Sequence, residues 1–254
     1  MILLLSQVEF FSLILARIFG FFGQATFFEH RSIPIVPKVG ICFFISMMIW
    51  TALPPARDLP GNFVVFALAL VQEYFIGKLI GFVCFIIVKS ILAAGDLMGM
   101  QMGLSVANQF DPGQGIQMNI VGRLFDFTAL LFFLVVNGHL MVLGSLMKSF
   151  YDIPVFSMIN IANPILHIVS LGVSLWGLAV RLASPVILTI FLLDFAFGTI
   201  SSVAPQVNVF MLAFQVKPML GLTTLYLTIP LLVWQVINII NKILDKIIAL
   251  IGLF

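Results

Sequence analysis

Six long apolar stretches dominate this chain and leave room for few kinds of fold. They cover about residues 3–23, 39–54, 63–94, 124–147, 164–193 and 219–240. A helix needs roughly 20 apolar residues to cross the hydrocarbon core of a bilayer, and most of these stretches reach that length. The connections between them are short and contain Pro, Gly or charged residues. The pattern predicts an all-α integral membrane protein with some kinked helices, for example at Pro185 in the fifth stretch.

The composition excludes a soluble protein. Only 9% of the residues are charged and 62% are hydrophobic, whereas a soluble domain has about 25% charged residues. No polar part of the chain reaches the roughly 50 residues that an independent domain needs. The net charge is only +2 and Lys and Arg do not cluster, which argues against nucleic acid as a partner. We therefore predict one membrane-embedded domain, residues 1–254, in contact with lipid.

Helix length and loop charge indicate that this is not an ordinary polytopic protein. The third and fifth stretches exceed the length of a single span, which implies tilt, bending, or exit from the lipid into a protein assembly. Positive charges do not fix the topology by the positive-inside rule, because the loops divide them equally between the two sides. The two sets are Arg31, Lys38, Arg123 and Lys217 against Arg57, Lys148, Lys242 and Lys246.

The longest polar segment lies in the middle of the chain, at about residues 101–119. It contains amides, glycines and one acid, and no Lys or Arg. A non-helical segment at membrane depth is tolerated where it lines a cavity or is buried in protein. Asp111-Pro112-Gly113 is a turn signal, because Pro fixes φ and Gly permits a positive φ. We predict that the loop re-enters compactly as part of a pore or gate; an ordinary interhelical loop is the alternative.

Glycines and methionines precede this segment at regular spacing. Gly77 and Gly81 are four residues apart, and so are Gly95, Gly99 and Gly103. Glycines at this spacing share one helix face and let another backbone approach closely. Three methionines interleave with the second set: Met98, Met100 and Met102. Because Met is unbranched and adaptable, they fit either a soft seal near a constriction or ordinary core filling.

Ionisable residues inside the apolar stretches are the remaining candidates for chemistry. They are Glu73 with Lys78, Asp126 near Arg123, His139, His167, Arg181 and Asp194. Such groups are costly in lipid unless they are paired or hydrated. Pairing between helices or subunits is the favoured interpretation, and a proton pathway is the alternative. We find no enzyme motif and no clustered metal ligands, so we predict no catalysis and no cofactor.

The end of the chain has an amphipathic pattern. Ile243, Leu244, Ile247 and Ile248 are apolar at helical spacing, and charged residues occupy the opposite face. A helix of this kind is predicted to lie on the membrane or against a partner.

Several short motifs, in order along the chain, resemble the FliR/SctT family of type III export-gate proteins. They are Ser32-Ile33-Pro34 with Lys38, Glu73 with Gly77 and Gly81, Gly95 and Gly99-Met100-Gln101-Met102-Gly103 with Asp111-Pro112, Asn137-Gly138-His139, and Ala204-Pro205-Gln206-Val207-Asn208-Val209-Phe210 with Lys217 and Gly221. The resemblance spans nearly the whole chain. The Asn-Gly-His and Pro-Gln-x-Asn-x-Phe forms resemble the flagellar branch more than the injectisome branch.

The resemblance implies a fold and a set of partners. The family fold is like one FliP joined to one FliQ, which gives this chain a FliP-like N-terminal part and a FliQ-like C-terminal part. It implies a complex of five FliP, four FliQ and one FliR in the bacterial inner membrane within the flagellar basal body. FlhA and FlhB complete the apparatus, and unfolded flagellar subunits pass through the central pore.

The resemblance also assigns roles to residues. The central loop, about 105–121, becomes a plug inside the pore, with Val106, Asn108, Gln109, Phe110, Asp111, Pro112, Gly113, Gln114 and Gly115 as gate residues. Met98, Met100 and Met102 form a gasket beside it, packed through Gly95, Gly99 and Gly103. Charges that pair with other subunits or anchor the loop are Glu73, Lys78, Arg123, Asp126 and Lys217. A secondary transporter for a small solute, or the SctT subunit of an injectisome, is the alternative.

Overall fold

The structure is a computed structural model that describes residues 2–25, 34–54, 62–104, 119–157 and 162–254. Within these ranges the chain forms eight α-helices and no strand. They are α1 (Ile2–Gln24), α2 (Ile35–Ala52), α3 (Phe63–Gln101), α4 (Ile120–Val135), α5 (Gly138–Asp152), α6 (Ala162–Val203), α7 (Val209–Asn241) and α8 (Ile243–Ile251). The prediction of an all-α fold is confirmed.

Five helical segments in the described residues are long and apolar enough to cross a membrane. They are Ser6–Gln24, Ile35–Ala52, Phe63–Gln101, Asn163–Val203 and Val209–Ile251. The number rises to six if the bent pair α4 and α5 forms one span. Length and composition therefore define an integral membrane protein.

The sequence pattern predicted a single helix for the fourth apolar stretch, and this prediction is wrong. The stretch divides into α4 and α5, which are bent by 68° at the break. Asn137 lies at the break with φ 59°, a left-handed conformation that Asn tolerates better than most residues. Hydrophobicity continues through the break, so a hydropathy window does not detect it.

Three helices extend further than their apolar stretches. α3 runs seven residues past position 94 to Gln101, and α6 runs on to Val203. α7 begins at Val209, ten residues before the predicted start. The helix interior tolerates Gly and Ser at a cost of about 1 kcal/mol or less each, so a fall in hydrophobicity need not end a helix.

The described helices form two compact units, each built from stretches that are distant in sequence. The first contains residues 1–87, 137–172 and 242–254, and the second contains residues 88–136 and 173–241. Two of the boundaries fall inside continuous helices, because α3 passes from one unit to the other near Val88 and α6 does so near Gly172. The other two coincide with the breaks between α4 and α5 and between α7 and α8. The FliP-like and FliQ-like division of the chain stays a prediction.

Aromatic and aliphatic contacts hold the first unit together. α1 packs along α2, and the Phe11 ring meets Phe43 and Trp50 edge to face at 5.5 Å and 6.2 Å between centroids. α8 packs against α5 and buries Ile243 and Ile247. The amphipathic end of the chain therefore lies against its own fold, and the prediction that it covers a membrane surface or a partner is wrong.

Candidate functional site

The predicted gate residues, from Val106 to Gly115, lie outside the described residues. The structure instead gives the two ends of the central segment. α3 leads into this segment, and the described residues extend to Leu104. They resume at Asn119, directly before α4. These two ends belong to the second unit, so their mutual geometry is defined.

Gly103 ends α3 and does not continue its glycine face. Its φ is +77°, a left-handed conformation in which glycine commonly terminates a helix. The Gly103 N–H donates to the Met100 carbonyl at 3.0 Å, and the Met102 N–H donates to the Met98 carbonyl at 3.0 Å. A side chain at position 103 would meet no atom within 4 Å. Within the described residues no backbone approaches Gly103 closely, and its packing against another backbone stays a prediction.

The three methionines divide between two environments. Met98 and Met102 are fully buried, whereas Met100 is 55% exposed. Residues two apart on a helix point to nearly opposite sides, and residues four apart share a face. Gly221 in α7 makes room for Met102, whose side chain would overlap any Cβ at that position. Met98 and Met102 thus fill the core, and only Met100 is free to face a lumen.

Asn119 forms the second end of the central segment. It is the N-cap of α4, and its Oδ1 accepts a hydrogen bond from the Val121 N–H at 3.2 Å. The side chain is 4% exposed and lies directly on Gly99, where any Cβ would overlap it. The end of α3 and the start of α4 are therefore in contact.

This contact continues along the two helices. A Cβ at Gly95 would lie 2.8 Å from the Phe125 Cβ and 2.9 Å from the Gly122 Cα. A Cβ at Gly122 would in turn overlap the Asp96 carboxylate. The two backbones thus touch without intervening side chains, as small residues allow in membrane helices. We define the α3–α4 seam as Lys89, Gly95, Asp96, Gly99, Asn119, Gly122, Phe125 and Asp126.

The two charges predicted to anchor the central loop differ in their surroundings. Arg123 and Asp126 were predicted to help anchor the helix that follows the loop. The Asp126 Oδ1 lies 3.6 Å from the Lys89 Nζ on α3, whereas Arg123 is exposed and its anchoring role stays a prediction. Asp126 therefore joins the seam itself.

Lys217 also has a partner within the chain. Its Nζ lies 2.7 Å from the Asp194 Oδ1, and the two side chains are 25% and 46% exposed. The pair joins α6 to α7 in the second unit. Lys78, the fifth predicted charge, is exposed on α3, so its predicted role as an inter-subunit charge stays a prediction.

Glu73 is the most deeply buried of the predicted charges, and it binds within the chain. Its Oε2 accepts from the Arg17 Nε at 2.6 Å, and its Oε1 accepts from the Phe156 N–H at 3.0 Å. Both charged side chains are almost completely buried, at 0% and 1% exposure. The prediction that Glu73 pairs with another subunit or with the central loop is therefore wrong.

Arg17 connects three parts of the first unit. Besides Glu73, its Nη1 donates to the Ser149 and Ile153 carbonyls at 2.9 Å and 3.1 Å. These carbonyls belong to the C-terminal end of α5, where a positive charge is favourable to the helix dipole. The guanidinium carbon also lies 4.4 Å from the centre of the Phe150 ring. Sequence analysis missed this role, although Arg17 and Glu73 are the two opposite charges deepest in the early apolar stretches.

Small residues set the position of Arg17. A Cβ at Gly77 would overlap the Arg17 carbonyl oxygen, and one at Gly20 would overlap the Tyr74 carbonyl oxygen. Gly81 also lies close to the Phe21 backbone, since a Cβ there would be 2.5 Å from the Phe21 carbonyl oxygen. The predicted close approach at Gly77 and Gly81 is thus present, and Gly20 completes it from α1.

Among the residues that the structure describes, no three His, Cys, Asp or Glu side chains come together as a metal site. The polar features are instead ion pairs and helix caps, which hold helices together. The fold and these contacts define a helical membrane protein whose charges act mainly in packing.

Comparison with known proteins identifies the family. The model of "Bacterial export proteins, family 1" matches residues 8–243. The FliR flagellar biosynthetic protein of Escherichia coli is 32% identical over 219 residues, which covers 86% of this chain and 83% of that protein. FliR of Bacillus subtilis is 27% identical over 95% of both chains. The Shigella flexneri protein SpaR, a surface presentation of antigens protein, is 26% identical over 61% of this chain and 60% of its own length.

The chain belongs to this family of bacterial export proteins. Its match covers α2 to α7 in full, together with both ends of the central segment. The predicted FliR/SctT resemblance is confirmed, and the chain is a membrane-embedded component of a type III export apparatus.

Proposed function

We propose that this chain is the FliR-type structural and gating subunit of a flagellar type III export gate. In this role it joins FliP and FliQ, as one copy with five FliP and four FliQ, and works beside FlhA and FlhB in the inner membrane of the flagellar basal body. The assembly forms the passage for unfolded flagellar proteins. The supporting observation is the family match over residues 8–243, because it includes nearly every described helix.

The exposed faces of the second half of the chain support an assembly. The buried share of the apolar part of each long helix differs between the two halves. It is 11% in Asn163–Val203 and 17% in Val209–Ile251, against 56% in Phe63–Gln101. Apolar surface of this extent needs lipid or protein around it. Asp194, which is 46% exposed, favours protein on part of this surface, since a carboxylate is costly against lipid.

We further propose that the central segment, about 105–121, is the plug of the closed gate. The support comes from its two ends: the chain leaves α3 and returns to α4 at one place, where Gly99 and Asn119 touch. The residues that lead into and out of this segment therefore lie side by side. Met100, which is exposed near the end of α3, is the remaining candidate for a gasket.

Native mass spectrometry of the tagged protein, gently extracted from the membranes of its own cells, tests the assembly. We expect one copy of this chain with several copies of two smaller membrane proteins. A monomer or homodimer, under conditions that preserve other membrane complexes, would contradict the proposal and favour a transporter. Reconstitution of the isolated chain in liposomes separates the two further, because a transporter acts alone.

Deletion of residues 106–116 tests the plug. We expect the closed assembly to leak ions and small solutes, because the steric barrier is removed. If the complex assembles normally and its permeability is unchanged, the plug proposal is contradicted and this chain is a scaffold without a gating role. The amount of assembled complex must be measured in parallel, so that loss of assembly is not mistaken for a tight gate.

The injectisome form is the second candidate, supported by the similarity to SpaR. The FliR proteins match at higher identity or over more of the chain, which favours the flagellar form. Complementation of strains that lack either subunit distinguishes them. We expect restored motility and no restored injectisome secretion.

A further inference from the structure

Two helices of the second unit, α6 and α7, are much longer than a bilayer is thick. α6 has 42 residues and α7 has 33, which correspond to about 63 Å and 50 Å of helix. The hydrocarbon core of a bilayer measures only about 30 Å. Only part of each helix can therefore lie in lipid, and the side chains along the two helices indicate which part.

Two exposed tryptophans stand at nearly the same level of these helices. Trp176 on α6 is 60% exposed and Trp234 on α7 is 63% exposed. A short turn connects the helices, and the Lys217–Asp194 contact at 2.7 Å fixes their register. Trp176 precedes Asp194 by 18 residues and Trp234 follows Lys217 by 17. Each tryptophan is therefore about 26 to 27 Å from the ion pair along its own helix.

The residues between the tryptophans and the ion pair are almost free of charge. We define the apolar zone as residues 177–193 of α6 and 218–233 of α7, in which Arg181 is the single charged residue. Its serine and threonine hydroxyls donate to carbonyls of their own helices, at Ser184, Thr189, Thr223, Thr224 and Thr228. Tyr226 carries the one other hydroxyl in the zone. Polar groups paired within their own helix are what a lipid environment requires.

Large apolar side chains cover the outside of the apolar zone. On α6, Leu188 and Phe191 are 60% and 63% exposed. On α7, Met219 and Leu227 are 72% and 71% exposed. Side chains of this size and exposure on both helices favour lipid as their surroundings.

Arg181 lies inside the apolar zone but close to the tryptophan end. Its side chain is exposed, and no ion pair of the described residues includes it. Position 181 is about 8 Å along α6 from Trp176, and side chains on a helix point toward its N-terminus, here toward Trp176. A long cationic side chain reaches lipid phosphates from such a position.

We propose that the second unit crosses the bilayer at the apolar zone. Trp176, Arg181 and Trp234 anchor it at headgroup level on one side, and the Asp194–Lys217 pair marks the other side. The length of the zone, about 26 Å, approaches the hydrocarbon thickness of about 30 Å. Tryptophan is enriched at the membrane–water interface, and charges are tolerated there more readily than in the hydrocarbon. Residues 195–216 then lie outside the hydrocarbon, and exposed side chains such as Phe210 remain for protein.

Depth-dependent quenching of tryptophan fluorescence tests this placement. The full chain is reconstituted in phosphatidylcholine vesicles whose acyl chains carry bromine at a shallow, middle or deep carbon. Trp50→Phe with Trp234→Phe leaves Trp176 as the fluorophore, and Trp50→Phe with Trp176→Phe leaves Trp234. Leu227→Trp, in a chain whose three tryptophans are changed to Phe, is the matched deep control. It shares a helix face with Trp234, seven residues away, and is similarly exposed at 71%.

The expected result is a difference in the bromine position that quenches most. Shallow bromines should quench Trp176 and Trp234 most and to a similar extent, whereas deep bromines should quench the Leu227→Trp variant most. If either native tryptophan is quenched most by deep bromines, the boundary is misplaced and the proposal is overturned. If no bromine position quenches the two tryptophans or the control, protein covers this surface and the proposal is overturned as well. Thermal unfolding of each variant shows that it keeps the fold, since all the exchanged side chains are apolar or aromatic.

Replacement of Arg181 tests its part in the anchor. Arg181→Leu removes the charge that holds this level of the helix, so maximum quenching of Trp176 should shift to deeper bromines. Arg181→Lys keeps the positive charge and should leave the depth unchanged. The same depth in the native chain and in both variants would contradict a role of Arg181 in the anchor.

Placement in the bilayer does not depend on the export-gate role, and the two fail in different ways. The export-gate proposal fails if the unmodified chain forms no complex with FliP and FliQ. The membrane placement fails if the two tryptophans lie deep or away from lipid, whether or not that complex forms.

Discussion

Two ion pairs in this molecule, one buried and one exposed, differ in what they contribute to the fold. Arg17 and Glu73 meet at 2.6 Å in the first unit, with exposures of 0% and 1%. Lys217 and Asp194 meet at 2.7 Å in the second unit, with exposures of 25% and 46%. The distances are nearly equal, so burial and additional hydrogen bonds determine what each pair contributes.

The buried pair is surrounded by groups of its own chain. Arg17 reaches two carbonyls at the end of α5, and Glu73 also accepts from the Phe156 N–H. Among the described residues, the exposed pair shows the contact between Lys217 and Asp194 and no further partner. The first pair fixes several helices in one arrangement, whereas the second joins two neighbouring helices and leaves much of its carboxylate for a partner.

The largest effect is expected from Glu73→Leu. The change leaves Arg17 buried without its counter-charge, which costs about 3–5 kcal/mol in unfolding free energy. Resistance to denaturant in detergent, with the amount of assembled complex, measures the loss. The double variant Arg17→Met with Glu73→Leu should recover much of it, because an apolar pair replaces the charges; a double variant as unstable as the single one would contradict this account.

The next effect is expected from Gly77→Ala. The added methyl group collides with the Arg17 carbonyl oxygen, and overpacking of this kind costs about 1–3 kcal/mol. Gly23→Ala is the matched control, because a Cβ there meets nothing within 4 Å. Thermal unfolding of the two variants in detergent compares them. Equal melting temperatures would show that α1 and α3 separate easily.

The smallest effect is expected from Asp194→Asn in the isolated chain. Exposed pairs contribute about 0–1 kcal/mol, so the unfolding free energy should change little. Measurement in the assembled complex then sharpens the comparison. If the variant forms much less assembled complex although the isolated chain keeps its unfolding free energy, Asp194 lies at an interface. If both quantities change little, the pair is exposed in the isolated chain and in the complex.

The sequence predicted the helical membrane class correctly because hydrophobicity is a local property. It also predicted the close approach at Gly77 and Gly81, since glycines four apart must share a face. It did not predict the break at Asn137, where φ is 59°, because the mean hydropathy of the surrounding stretch stays high across it. Hydrophobic content does not distinguish one long helix from two bent ones.

Pairing of charges between helices, which the sequence favoured, is present, but the particular partners were not predicted. Glu73 binds Arg17, which is 56 residues away, and Asp126 lies beside Lys89 of another helix. The nearest charge in sequence is not the nearest in space when helices pack side by side. Met102 shows the same effect, because its buried side chain occupies the space at Gly221 in a distant helix.

The sequence by itself determined that the chain is helical, belongs in a membrane and carries a polar central segment without Lys or Arg, because composition and periodicity are properties of consecutive residues. The tertiary structure decided which charges meet and that Gly99 touches Asn119 at the two ends of that segment. The physical reason is that contact depends on how helices pack, and packing brings together residues whose separation along the chain carries no signal of their proximity.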